Sequence, residues 1–139
     1  MNFKVLIVED EFIVAEDMKG IFVHWGFDVV GVIPNGRTAL LVAKDALPDL
    51  LVVDVKINGD LNGVETAIVI RSFFEKELPV IFISGRPATD YPLLKALDSY
   101  LYLNKPFKSE SLFQAINSIN IPWENQVPRE SFDELKRAV

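Results

Sequence analysis

The 139-residue chain has no cysteine, a single histidine, and no apolar run approaching the ~20 residues needed to span a bilayer. Lacking cysteine, it has no disulfides and no thiolate metal sites, which fits a reducing compartment. His24 stands alone on a helix, so surface or structural duty is expected for it rather than a functional role. The start, Met1-Asn2-Phe3-Lys4, leads into only four apolar residues before Glu9 and does not resemble a signal peptide. A soluble, cytoplasmic protein with no membrane partner is the expectation. Basic clusters are missing as well. With 14 Lys+Arg against 20 Asp+Glu, a net charge of −6 and a pI near 4.8, no group of side chains can neutralise a run of phosphates. Direct nucleic-acid binding is therefore not expected, and neither repeats nor low-complexity stretches are visible.

What is present is apolar and regularly punctuated. Hydrophobic residues make up 50% and mean hydropathy is +0.23, as expected of one packed domain. Val5-Leu6-Ile7-Val8 is a short apolar run that ends in Glu9-Asp10-Glu11. A helix follows, with Val14, Met18, Ile21, Phe22 and Trp25 at helical spacing and Gly26 at its C-terminus. Val29 to Ile33 reads as a second strand, and Asn35 as the N-cap of a helix to about Ala46. Leu50-Leu51-Val52-Val53 is a third strand, closed by Asp54. Asn62 and Glu65 form a capping-box pair for a helix to about Phe74, and Val80-Ile81-Phe82-Ile83 is a fourth strand. A helix from Asp90 to Leu97 is expected with Pro92 in its first turn, then a fifth strand at Tyr100-Leu101-Tyr102-Leu103. Ser109 is expected to cap a last helix to Ile119.

Five near-continuously apolar strands alternating with five helices imply an α/β fold. The sheet should be parallel and doubly wound, in the order 2-1-3-4-5, with right-handed crossovers. Strands one and three are then neighbours at the switch point, which brings Glu9 and Asp10 beside Asp54. Carboxylates converging at one rim repel each other unless a cation sits among them. Magnesium suits oxygen donors of this kind, with Asp10, Asp54 and a backbone carbonyl nearby. Lys105, at the end of strand five, offers a point charge, and Ser84, at the end of strand four, a hydroxyl. Glu9, Asp10, Asp54 and Lys105 together with a divalent ion sum to zero, a site that can accept an anion. A carboxylate in such surroundings can act as nucleophile and form an aspartyl phosphate, with Asp54 the candidate.

These residues resemble a receiver domain of the bacterial two-component response regulators, a CheY-like member of the flavodoxin-like folds. The resemblance covers roughly residues 3 to 119 and rests on Glu9-Asp10 within VLIVEDE, Asp54 within LLVVD, Ser84 within VIFISG and Lys105 within LNKPF. Tyr102 matches the family's switch aromatic. The resemblance implies that Asp54 is the phosphoacceptor, and that Asp10, Asp54 and the backbone carbonyl of Lys56 ligate Mg2+, with Glu9 acting through water. Lys105 and Ser84 would grip the phosphoryl group, and Ser84 and Tyr102 would switch the face made by the fourth helix, fifth strand and fifth helix. A histidine kinase or histidine phosphotransfer protein would be the phosphodonor. A downstream protein or a second copy would bind the switched face. No enzyme activity is implied beyond self-catalysed phosphoryl transfer and autodephosphorylation.

The sequence departs from the family in places. The loop VKINGDLNG is one residue longer than the commonest form, and serine replaces the more frequent threonine at position 84. Lys56 and Arg86 hold the two variable positions that tune dephosphorylation, and two cations there imply a slowly decaying phosphoryl group. An alternative is a phosphorylation-independent interaction module that keeps the fold. A haloacid-dehalogenase-like hydrolase ranks last, because Lys56 stands where that family has a second aspartate. The receiver domain is expected over residues 1–120. Residues 121–139 read as a tail or linker, with Ser131 and Glu134 as a capping box before Phe132, Leu135 and Val139.

Overall fold

The computed structural model of the chain describes residues 2–119, so the expected tail helix after residue 120 lies outside the described residues. Five strands, β1 (Lys4–Val8), β2 (Asp28–Ile33), β3 (Leu50–Asp54), β4 (Val80–Ser84) and β5 (Leu101–Asn104), form one sheet in the order β2-β1-β3-β4-β5. Every pairing is parallel, as continuous apolar strands buried on both faces require. Four α-helices cover the two faces: α1 (Phe12–His24), α2 (Gly36–Ala46), α3 (Gly63–Arg71) and α4 (Ser109–Asn117).

Alternation along the strands divides the core in two. Val5, Ile7, Leu50, Val52, Ile81 and Ile83 pack beneath α1 and α4 with Phe22, Trp25 and Phe113. Leu6, Val8, Leu51, Val53, Val80 and Phe82 face α2 and α3. Each such side chain, fully withdrawn from water, contributes about 1.5–3 kcal/mol. The helix ends follow local chemistry. Gly26, at φ +84°, closes α1 with paired bonds from Gly26 N–H to Val23 O and Phe27 N–H to Phe22 O. Asn35 caps α2 by accepting from Thr38 N–H at 2.9 Å. Asn62 and Glu65 make the reciprocal capping box of α3.

Two expectations are corrected. The helix expected over Asp90–Leu97 is instead two short 3-10 turns, Ala88–Asp90 and Pro92–Ala96, so the described residues contain four α-helices rather than five. Pro92 supplies no N–H and crowds the residue before it. Tyr91 accordingly sits at φ −123°, ψ 79°, outside the helical region, and interrupts the run. At α4 the N-cap is Lys108, in extended conformation, and Ser109 is the first helical residue. Elsewhere the boundaries differ from expectation by one or two residues, as at α4, which ends at Asn117 rather than Ile119, except that α3 ends at Arg71 and frays through single turns to Phe74.

Among the described residues, no helix is long and apolar enough to cross a membrane.

Candidate functional site

The sheet register sets the site. Val8 pairs with Val53, Asp54 with Ile83 and Ser84 with Asn104, so the carboxyl ends of β1, β3, β4 and β5 finish side by side. Backbone bonds then carry the first residue beyond β1 and β5 into place: Glu9 N–H donates to Ile33 O at 2.9 Å and Lys105 N–H to Ser84 O at 2.7 Å. Gly63 lets α3 start close behind β3. A Cβ there would run into the Asp54 carbonyl, Val53 and Val55, and its N–H donates to Val55 O at 2.7 Å.

Lys105 Nζ is the centre of the constellation. It lies 3.0 Å from Asp54 Oδ2, 2.8 Å from Glu11 Oε1 and 2.9 Å from Glu9 Oε1. Glu9 and Asp54 are buried, at 2% and 3% exposure, whereas Glu11 is open to solvent. Asp54 Oδ1 accepts from Lys56 N–H at 3.1 Å, and Glu9 Oε2 from Glu11 N–H at 3.2 Å. Glu9 Oε1 is enclosed and, despite its closeness to Nζ, has no donor aligned for a hydrogen bond.

One ammonium serves three carboxylates, and the excess negative charge bears on the Glu9 carboxyl. Burial, reinforced by the Asp54 carboxylate, pushes Glu9 from an ordinary 4.5 up to about 7, against the pull of Lys105 and the Glu11 N–H. Burial works to lower Lys105, but its hydrogen bonds to Glu11 and Asp54 and the nearby Glu9 carboxylate outweigh that and raise it above the ordinary lysine value. Among the described residues, Glu9, Glu11 and Asp54 form a group whose carboxylate oxygens lie within 4.8 Å of one another. An all-oxygen donor set with net charge −2 after Lys105, and one buried oxygen short of a donor, fits a hard divalent cation such as Mg2+.

The structure brings Glu9, Asp54, Lys105 and Ser84 to one rim as the sequence led us to expect. Asp10 is at the same rim but outside the group, its Oδ2 accepting from Asn58 N–H at 3.0 Å. Glu11 is the member that sequence reasoning passed over. It stood in the same acidic run, but nothing local pointed to a lysine 94 residues away. Ser84 is buried, and its Oγ accepts from Arg86 N–H at 3.0 Å, while Tyr102 donates its hydroxyl to Arg86 O at 2.8 Å. Burial raises the Tyr102 phenol above its ordinary value. Lys56 is exposed, and the Arg86 guanidinium turns to Asp90 at 3.4 Å. His24 is exposed in the last turn of α1.

The family model for the response regulator receiver domain matches residues 5–117. A protein-glutamate methylesterase/protein-glutamine glutaminase of Trichodesmium erythraeum is 35% identical over 125 residues, which is 85% of this chain and 34% of that protein. The DNA-binding response regulator MtrA of Mycolicibacterium paratuberculosis is 28% identical over 120 residues, 85% of this chain and 51% of that protein. The chain thus spans between a third and about half of these two relatives. Among solved structures, the signal receiver domain of a modulated diguanylate cyclase from Desulfovibrio desulfuricans superposes with TM-score 0.75 at 34% identity, covering 84% of this chain and 92% of that one.

Proposed function

The chain belongs to the response regulator receiver domain family, and from that premise we propose that it is a phosphoacceptor of a two-component or phosphorelay system. The observation that carries the reading is the convergence of Asp54 and two further carboxylates within 3.0 Å of the Lys105 ammonium nitrogen. Asp54 Oδ2 attacks phosphorus, the bond from phosphorus to the imidazole nitrogen of a phosphohistidine donor breaks, and the product is an aspartyl phosphate. Lys105 moves from the carboxylates to the transferred oxygens, and the Ser84 hydroxyl leaves Arg86 N–H to donate to one of them. Glu9, Asp10, Asp54 and the Lys56 carbonyl would hold Mg2+, which supplies neutralising charge to the incoming anion. No activity beyond this transfer and its hydrolysis belongs to the proposal.

When Ser84 turns toward phosphate, the Arg86 backbone loses one of its two anchors. Tyr102, bonded to the same residue, then repositions with β5, and the face formed by β5, the 3-10 turns and α4 changes for a downstream protein or a second copy. Arg86 slows dephosphorylation once it is released from Asp90, and Lys56 reaches the phosphoryl group from the solvent side. The donor, a histidine kinase or histidine phosphotransfer protein, approaches by the groove that Glu11, Val14, Ile21, Lys105, Pro106 and Phe107 line beside the carboxylates. Phe12, exposed at 77%, lines a separate hollow with Glu9 and Asp10, and Ile13, exposed at 75%, adds apolar surface in the same first turn of α1.

Incubation with acetyl phosphate and Mg2+ tests the reading. Intact-mass spectrometry is expected to record one added phosphoryl group, labile to hydroxylamine and lost in Asp54→Asn. A wild-type chain that stays unmodified, or a variant modified equally, would overturn it.

A further inference from the structure

The β3–α3 loop does not hang free. It crosses the tip of β1 and is fastened to the start of α2 at two points. Asn58 makes a parallel bridge with Asn35, the N-cap of α2. Two residues on, Asp60 takes a forked bond from Arg37 in the first turn of α2, with Nε at 3.2 and 3.1 Å from its two oxygens and Nη2 at 2.8 Å from Oδ2. Gly59, at φ +112°, allows the chain to turn between the two fastenings. Beneath this strap lies Asp10, whose Oδ2 is held by the Asn58 N–H at 3.0 Å and whose carboxylate stands outside the Glu9, Glu11 and Asp54 group.

We propose that Arg37 and Asp60 are positioning residues for Asp10. Their fork pins the loop so that the Asn58 amide retains Asp10 outside the carboxylate group, and the strap thereby sets the affinity of the site for a divalent cation. This deepens the phosphoacceptor reading and rests on it. A backbone amide held in place from both sides competes better for a carboxylate than one on a free loop, since the cost of ordering it is already met. A cation that draws Asp10 in must therefore displace that amide. Loosening the fork weakens the competitor and tightens cation binding. Exposed forked pairs carry energies that correspond to about a two- to fivefold change in a binding constant.

Arg37 and Asp60 have opposite charges, which separates a strap from a simple field effect. Removing a positive charge near the site favours a cation and removing a negative one disfavours it, whereas both removals loosen the strap. The test is calorimetric titration of the full 139-residue chain with Mg2+ at fixed ionic strength, on wild type, Arg37→Ala, Asp60→Ala, the double variant, and the exchange Arg37→Asp with Asp60→Arg. Both single variants are expected to bind about two- to fivefold more tightly, the double variant no more tightly than either, and the exchange is expected to return to the wild-type value.

Amide hydrogen exchange without cation supplies the second readout. Asn58 is expected to exchange faster in both single variants, with protection of β1 and β3 unchanged. Opposite shifts in the two single variants, unchanged affinities, or an Asn58 amide indifferent to them would overturn the strap while leaving the phosphoacceptor reading intact. A wild-type chain that does not bind Mg2+ would remove the metal site and the strap with it, and binding that survives Asp10→Asn unchanged would take Asp10 out of the site and overturn the strap.

Discussion

Replacing Glu9 with glutamine should make the metal-free protein more stable at pH 7.5 and leave it little changed at pH 5. Glu9 is buried, and its carboxyl is raised from 4.5 to about 7 by burial and by Asp54. An acid whose folded value lies above its unfolded one binds more protons when folded, so stability falls as pH rises from about 4.5 to about 7 and levels off beyond. The gap between those two values, at about 1.36 kcal/mol per pH unit, amounts to about 3 kcal/mol. Relaxation of the buried site reduces that figure, and we expect about 1–3 kcal/mol for Glu9 itself. Glutamine keeps the shape and an oxygen for the Glu11 N–H but carries no charge into the core. Urea unfolding followed from pH 5 to 8 measures it: with a slope near 2 kcal/mol per molar urea, the midpoint of the variant should lie about 0.5–1.5 M above wild type at pH 7.5. Millimolar Mg2+ should flatten the wild-type pH profile and do little for the variant. A wild-type chain that gains stability between pH 5.5 and 7.5, or a glutamine variant less stable than wild type at pH 7.5, would refute the reasoning.

Lys105→Met leaves Glu9 and Asp54 buried without their counter-ion, and should cost about 3–5 kcal/mol at pH 7.5 in metal-free urea unfolding, less at pH 5 where Glu9 takes up a proton. Gly63→Ala drives a methyl group into the Asp54 carbonyl and should destabilise by about 1–3 kcal/mol, with slower labelling by acetyl phosphate as β3 shifts. Leu47 closes α2 at φ +51° with its side chain largely in solvent, so Leu47→Gly should relieve the left-handed strain and raise thermal stability by about 0.5–1 kcal/mol. A loss of stability in that variant would mean that the leucine makes contacts which offset its backbone.

Elements with strong local signals were legible in the sequence. The apolar strands, the Asn35 cap, the Asn62 and Glu65 capping box and Gly26 follow from neighbours within a few residues, and the structure has them where the pattern puts them. The stretch around Pro92 was misjudged because apolar spacing favoured a helix while the geometry of the residue preceding proline forbade it, and the backbone constraint won. At the site, Glu9, Asp54, Ser84 and Lys105 could be anticipated from strand ends alone. The part taken by Glu11 could not, since an exposed glutamate at a helix start looks like any other until a lysine arrives beside it. Asp10 was anticipated beside Asp54, but its partner was not, because that is a backbone amide 48 residues away in a loop whose path no local pattern encodes.

Residue order alone decided that this chain builds a parallel α/β sheet with acids, a hydroxyl and an amine at the carboxyl ends of its strands, because periodicity and capping act over a few residues. Only the folded chain decided which carboxylates share Lys105 and which one the Asn58 amide claims. Those choices turn on differences of an ångström or two between groups far apart in sequence, and charge interactions in a buried, poorly screened site depend steeply on such distances.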